Sequence, residues 1–140
     1  MPDVFDLSKY VKSEKSVFSS MLAARIVWLR QRNQMDQRSQ NLYHQMQDHG
    51  LVLTVVDAFD VTSADLVLLD ALDSVEGSVE TIVARIRFES RVPLIMLTDG
   101  FSSEQLVIAL TAGADAIWSL NTPVELLLAR SNALLRRWMP

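Results

Sequence analysis

The stretch Ala64-Asp65-Leu66-Val67-Leu68-Leu69-Asp70 decides the fold of this chain. Its four consecutive aliphatic residues show no polar alternation, which is typical of a strand covered on both faces in a parallel sheet. A carboxylate closes this run at Asp70. Because open parallel α/β sheets place their functional groups at the carboxyl ends of the strands, Asp70 is the first candidate functional residue.

Similar apolar runs recur along the chain and alternate with helix-like segments. The predicted strands cover residues 26–29, 51–56, 66–69, 94–97 and 116–118, and the predicted helices cover 33–49, 78–86, 103–113 and 123–137. Ser102 or Ser103 suits the start of a helix, Gly113 its end, and Pro123 the first turn of the last helix. Five strands with intervening helices predict a three-layer α/β domain with a doubly wound, five-stranded parallel sheet.

Composition limits the classes of protein to consider. The chain has 140 residues, of which 49% are hydrophobic and 21% charged, as expected for one globular domain. Its net charge of -4 argues against a broad nucleic-acid surface, and the lack of cysteine excludes disulfides and thiolate metal sites. We find no apolar run of membrane-spanning length and no signal-peptide pattern, so we expect a cytoplasmic protein without a membrane partner.

Residues 1–23 differ from the rest and are predicted to form an N-terminal extension with a short helix, followed by a domain over residues 24–140. Two interpretations of this extension stay open. It packs on its own domain, or it is an arm that binds a second subunit or another partner.

Three further stretches, together with the strand that ends at Asp70, form an ordered set of motifs. They are Leu94-Ile95-Met96-Leu97-Thr98, Gly113-Ala114-Asp115, and the helix that ends in Ala133-Leu134-Leu135-Arg136-Arg137. In this order and spacing, the chain from about Arg25 to Arg137 resembles the receiver domains of response regulators. It is most like the receivers that precede winged-helix DNA-binding domains.

The resemblance implies a flavodoxin-like receiver fold with strand order 2-1-3-4-5. It assigns Asp70 to the phosphoacceptor position and Thr98 to the hydroxyl that senses the phosphoryl group. The stretch between Val56 and Ala64 is short for the second helix of a receiver, so we expect that helix to be reduced or absent.

Several positions depart from the receiver pattern. Arg30 and Gln31 stand where receivers carry two acidic metal ligands, and Leu120 replaces the lysine that neutralises the phosphoryl group. Ile117 occupies the aromatic switch position, with Trp118 beside it. Mg²⁺ needs oxygen ligands, and phosphoryl transfer depends on positioning and charge neutralisation. We therefore predict a degenerate receiver, or pseudo-receiver, that has no metal site and no cofactor.

The resemblance also makes the first and third strands neighbours, so that Arg30 and Asp70 lie close together. We hypothesise that the Arg30 guanidinium pairs with the Asp70 carboxylate, because an unpaired buried carboxylate is costly to desolvate. The alternative is that both side chains point into water.

The fourth helix, fifth strand and fifth helix form the usual dimerisation face of receivers. Here this face is unusually apolar, although packing within the core remains an alternative explanation. The candidate interface residues are Val107, Ile108, Leu110, Asp115, Trp118, Leu127 and Arg130.

The favoured function is a phosphorylation-independent signalling and dimerisation module, with a role in transcription regulation and no catalytic activity. We expect a homodimer, with a DNA-binding effector domain or a protein partner making any nucleic-acid contact. Two alternatives stay open. Asp70 is still phosphorylated by a histidine kinase, or the pocket bounded by Arg30, Asp70, Thr98 and Leu120 binds a small molecule.

Overall fold

A computed structural model describes residues 19–30, 35–56, 61, 63–71 and 78–138. The elements in chain order are helix α1 Ser19–Ala23, strand β1 Ile26–Arg30, helix α2 Gln37–Asp48, strand β2 Leu53–Val56, strand β3 Leu66–Asp70, helix α3 Ser78–Glu89, strand β4 Leu94–Thr98, helix α4 Ser103–Ala112, strand β5 Ala116–Ser119 and helix α5 Val124–Trp138.

The five strands form one parallel sheet with the order β2-β1-β3-β4-β5. The predicted fold class and strand order are therefore confirmed. Between β2 and β3, none of the described residues is helical, and Val61 and Ala64 are buried against the sheet. Two small apolar side chains thus cover part of the face that an intervening helix would cover.

Alternate residues of the strands divide the core into two layers. Ile26, Trp28, Leu66 and Leu68 pack with residues of α1, α2 and α5. On the opposite face, Val67 and the other residues of that parity pack with α3 and α4. Because both faces are covered, the strands need the unbroken apolar sequences from which they were predicted.

Local sequence signals place the ends of α4 as expected. The Ser102 hydroxyl accepts a bond from the Gln105 amide, and the Gln105 side chain accepts one in return from the Ser102 amide. This capping box begins α4, and Gly113 ends it at a φ of 129°. The start of α2 differs from the prediction, because Asp36 caps this helix through the Arg38 amide and it begins at Gln37 rather than at residue 33.

The described end of the N-terminal extension packs into the domain core. The Met21 side chain is buried, and its amide donates a 2.9 Å bond to Oδ1 of Asn132 on α5. The extension before residue 19 lies outside the described residues. For Ser19–Ala23, packing on the same chain is what the structure shows.

At the amino-terminal edge of the sheet, Arg87 joins α3 to the segments that enter β4 and β5. Its guanidinium donates to the carbonyls of Gly113, Val92 and Ser90 at 2.7, 2.6 and 3.3 Å, and to Oδ2 of Asp115 at 2.5 Å. Asp115 also accepts the Leu94 amide at 2.8 Å. One guanidinium group thus provides hydrogen bonds to backbone carbonyls that have no partner within the loops themselves.

No helix among the described residues is long and apolar enough to cross a lipid bilayer.

Candidate functional site at the carboxyl edge of the sheet

Asp70 lies in the middle of the carboxyl edge, as the last residue of the central strand. It is 5% exposed. In the register of the sheet it is paired with Arg30 of β1 on one side and with Leu97 of β4 on the other. A carboxylate this deeply buried must be compensated by nearby donors or positive charge.

One of these donors is the indole of Trp28. Its Nε1 donates a 3.3 Å hydrogen bond to Oδ2 of Asp70. Trp28 is completely buried, and its ring meets the edge of Tyr43 at 5.6 Å between centroids. Tyr43 is itself held by a bond from its hydroxyl to the Leu53 carbonyl. The carboxylate is therefore approached by a neutral donor that the core keeps in place.

Trp28 is a site residue that the sequence analysis missed, although a signal for it exists. Trp28 and Arg30 are two residues apart on β1, so they lie on the same face of the sheet. Since Arg30 is the register partner of Asp70, a long side chain at position 28 can reach the same carboxylate.

Arg30 is half-buried at the end of β1, directly opposite Asp70. The predicted proximity of Arg30 and Asp70 is thus present in the register of the sheet. The direct ion pair between the two side chains stays a prediction. Gln31, the other residue assigned to this position, lies outside the described residues.

Thr98 ends β4 next to Asp70 and is 5% exposed. Its hydroxyl oxygen is buried, and no hydrogen-bond partner is found for it among the described residues. Its carbonyl accepts a 3.0 Å bond from the Leu120 amide. The Leu120 side chain packs on the core layer that contains Trp28. The chain therefore retains the hydroxyl that the resemblance implies and places an aliphatic group where a lysine is expected.

The two residues at the switch position of β5 point to opposite faces. Ile117 packs with the layer formed by α3 and α4, and Trp118 packs with the other layer. The Arg130 guanidinium of α5 lies 4.5 Å from the centroid of the Trp118 ring. This cation–π contact fixes Trp118 beneath α5.

A second cation lies at the same edge and was also missed by the sequence analysis. Arg38, in the first turn of α2, contacts Oδ1 of Asp36 at 3.1 Å and forms an ion pair with Asp99, the residue after Thr98. The Arg38 side chain and amide both bond to Asp36 and lower the pKa of that carboxyl. Arg38 and Asp99 are 61 positions apart, so no local pattern could have joined them.

The expected absence of a divalent-cation site at this edge stays a prediction. No group of three potential metal-ligating side chains occurs in the part of the chain that the structure describes. Arg30 stands beside Asp70, and Asp36 and Asp99 both hold Arg38. Mg²⁺ requires several oxygen ligands, so these contacts support the prediction.

Most of the candidate interface residues lie on the surface. Val107, Ile108 and Leu110 are exposed on α4, as the excess of apolar residues predicted. The assignment of Leu127 was wrong, because this side chain is completely buried in the core, while its neighbour Leu126 is 41% exposed. Asp115 is partly exposed, but its carboxylate is bonded to Arg87.

Comparison with known proteins points to one fold. No protein-family model matches the chain. A two-component response regulator from Clostridium difficile has a TM-score of 0.67 at 19% identity, and the match covers 83% of this chain and 99% of that one. The BeF3-activated N-terminal receiver domain of Klebsiella pneumoniae RstA has a TM-score of 0.64 at 26% identity, covering 80% of this chain and 98% of that domain.

This chain has the fold of a response-regulator receiver domain. The resemblance seen in the sequence is thereby confirmed, and Asp70 ends the central strand of this fold. The Streptomyces avermitilis transcriptional regulatory protein CseB is 37% identical over 87 residues, which are 61% of this chain and 36% of that protein. The receiver thus spans little more than a third of the length of the curated relatives that it matches.

Proposed function

We propose that this receiver works without phosphorylation, as a signalling and dimerisation module of a cytoplasmic transcription regulator. The role in transcription is supported by the similarity to a transcriptional regulatory protein of which the chain spans 36%. A DNA-binding effector domain or a separate protein partner would make the contact with DNA. The receiver itself has a net charge of -4, which disfavours a broad contact with the phosphate backbone.

The observation that carries this proposal is the charge arrangement around Asp70. A receiver phosphoryl group needs a bound cation and a neutralising lysine, because its transfer depends on electrostatic stabilisation. Here Arg30 is the register partner of Asp70, and Leu120 packs into the core. Fixed donors such as Trp28 can satisfy the carboxylate, but they do not recruit a metal ion.

The direct test is to offer the protein a phosphoryl donor. The wild type and Asp70→Asn are incubated with acetyl phosphate and Mg²⁺, and in parallel with beryllofluoride and Mg²⁺, then analysed by Phos-tag electrophoresis, intact mass and sedimentation velocity. We expect no adduct in either protein and the same sedimentation coefficient with and without donor. An adduct in the wild type that Asp70→Asn lacks would overturn the proposal.

A homodimer through α4 is the second part of the proposal. Val107 is 62% exposed and Leu110 is 48% exposed, and a surface of such residues is normally covered by a partner. The contact of Arg130 with Trp118 lies on the neighbouring strand and helix. Together these residues suit an apolar contact with a polar rim.

Charge substitutions on this face test the dimer. Val107→Glu and Leu110→Glu are expected to sediment as monomers at concentrations where the wild type is a dimer, because each buries a carboxylate in the contact. Phe88→Glu is the matched control, since Phe88 is 92% exposed on α3, outside this face. If all three variants keep the wild-type mass, α4 is not the dimer contact.

One observation favours the second candidate function, phosphorylation of Asp70 by a histidine kinase. The buried Thr98 hydroxyl, without a partner among the described residues, is suited to bond a phosphoryl oxygen. Under this alternative, Thr98→Val and Asp70→Asn would both abolish transfer from a kinase that labels the wild type.

A further inference from the structure

We infer that the ion pair of Arg38 with Asp99 is a lid that restricts access from solvent to Asp70. These two side chains belong to different connections at the carboxyl edge. Arg38 lies in the first turn of α2, shortly after β1, and Asp99 directly follows β4. Each is partly exposed, with 47% and 37% of the side chain accessible.

The topology of the sheet determines what this ion pair crosses. In the order β2-β1-β3-β4-β5, one strand separates β1 from β4, and that strand is β3. Asp70 is its last residue. A contact between the segment after β1 and the segment after β4 therefore spans the width of β3 at the carboxyl edge. Neighbouring strands are about 4.8 Å apart, so β1 and β4 are about 9.6 Å apart. An arginine and an aspartate side chain together can bridge this distance.

The Asp36 carboxylate anchors one end of the lid. On the α2 side, the Asp36 carboxylate accepts the Arg38 amide at 2.8 Å and the Arg38 Nε at 3.1 Å. On the β4 side, Asp99 lies between the last residue of the strand and the Ser102 cap of α4. The lid therefore joins the start of α2 to the segment before α4, at the edge of the sheet where Asp70 ends β3.

The lid is expected to be labile, because partly exposed ion pairs contribute little and are screened by salt. Its role is consequently to reduce how often a solute reaches Asp70 rather than to exclude solutes completely. The inference is independent of the proposed function, because it concerns the accessibility of the carboxylate and not the chemistry that takes place there.

Carbodiimide coupling measures this accessibility directly. The full chain is treated with a water-soluble carbodiimide and glycine ethyl ester, and the rate of amide formation at Asp70 is followed by peptide mass spectrometry. Arg38→Gln and Asp99→Asn should each raise this rate about two- to fivefold, within the factor of roughly 1.4 to 5 that an exposed ion pair of about 0.2–1 kcal/mol supports. Wild type in 1 M salt should approach the same rate.

Glu104→Gln is the matched control, since it removes an exposed carboxylate from the first turn of α4 without touching the ion pair. It should leave the rate at Asp70 unchanged, and Glu125 serves as an internal reference in every sample. Circular dichroism and the thermal midpoint confirm that each variant is folded. The inference is overturned if neither variant of the pair accelerates coupling at Asp70. The phosphoryl-donor experiment can fail or succeed without affecting this result.

Discussion

Removing the Arg87 side chain should strongly destabilise the fold, because this side chain donates to four separate acceptors. Arg87→Ala leaves the Asp115 carboxylate and three backbone carbonyls without their shared donor. The side chain is only 15% exposed, so water replaces these bonds incompletely. Because the Asp115 side chain is 39% exposed, we expect a cost of about 2–3 kcal/mol, mainly from the backbone carbonyls that lose a charged donor. This is a large share of the roughly 5–15 kcal/mol by which domains are stable.

The assay is urea unfolding followed by circular dichroism at 222 nm, with the free energy of unfolding obtained by linear extrapolation. Arg87→Lys should recover only part of the loss, because one ammonium group cannot reach acceptors that lie in several directions. Asp115→Asn should cost less than Arg87→Ala, since the carbonyl contacts remain. A loss below about 1 kcal/mol for Arg87→Ala would place this residue among ordinary surface ion pairs and refute the reasoning.

Gly113 provides an independent check on the same geometry. A Cβ atom at this position would lie 2.5 Å from Cγ of Arg87, and the backbone has a φ of 129°. Gly113→Ala should therefore destabilise the protein through both the steric clash and the backbone conformation. In the double variant with Arg87→Ala the clash is gone, so the combined loss should be smaller than the sum of the two single losses.

Three further predictions concern other parts of the fold. Leu127→Ala should lower the free energy of unfolding by about 2–5 kcal/mol, whereas Leu126→Ala should cost less than about 1 kcal/mol, because only the first side chain is buried; urea unfolding checks both. NMR titration of Asp36 should give a pKa below 3.8, and Arg38→Gln should raise this pKa. Because the pKa is lower in the folded state, the contribution of Asp36 to stability is fully present above the pKa of the unfolded state. It is lost as the pH falls through the pKa of the folded state. Ser131→Ala should leave stability unchanged or raise it by up to about 1 kcal/mol in a thermal scan, because the buried hydroxyl has no partner among the described residues.

The fold could be predicted from the sequence because its signals are local. Unbroken apolar runs such as Leu66-Val67-Leu68-Leu69 identify strands covered on both faces. Ser102, Gln105 and Gly113 mark the ends of α4 before any tertiary contact is known. Asp70 could be placed at the carboxyl edge because it ends such a run.

Other features of the site depend on contacts that sequence spacing does not encode. The ion pair of Arg38 with Asp99 spans two connections and needs the strand order before it can be foreseen. The contact of Trp28 with Asp70 could have been predicted, because Trp28 shares a face of the sheet with Arg30. A tryptophan inside an apolar strand is normally explained by core packing alone, so its indole donor was overlooked.

The error at Leu127 has a different physical origin. In the run Leu126-Leu127-Leu128, successive residues are rotated by about 100° around the helix axis, so they cannot all face the sheet. Which of them does so is set by the rotation of α5 against the core. The sequence predicts an excess of apolar residues on this helix, but only the packed structure assigns the exposed position to Leu126.

The bond between Met21 and Asn132 has a consequence for synthesis on the ribosome. These residues are separated by 111 positions, so α1 is translated well before its docking site on α5. During that interval the apolar Met21 side chain has no native site in which to be buried. A contact that closes so long a loop contributes late to the folding of the nascent chain. Burial of the Met21 side chain at its native site therefore waits until α5 has left the ribosome.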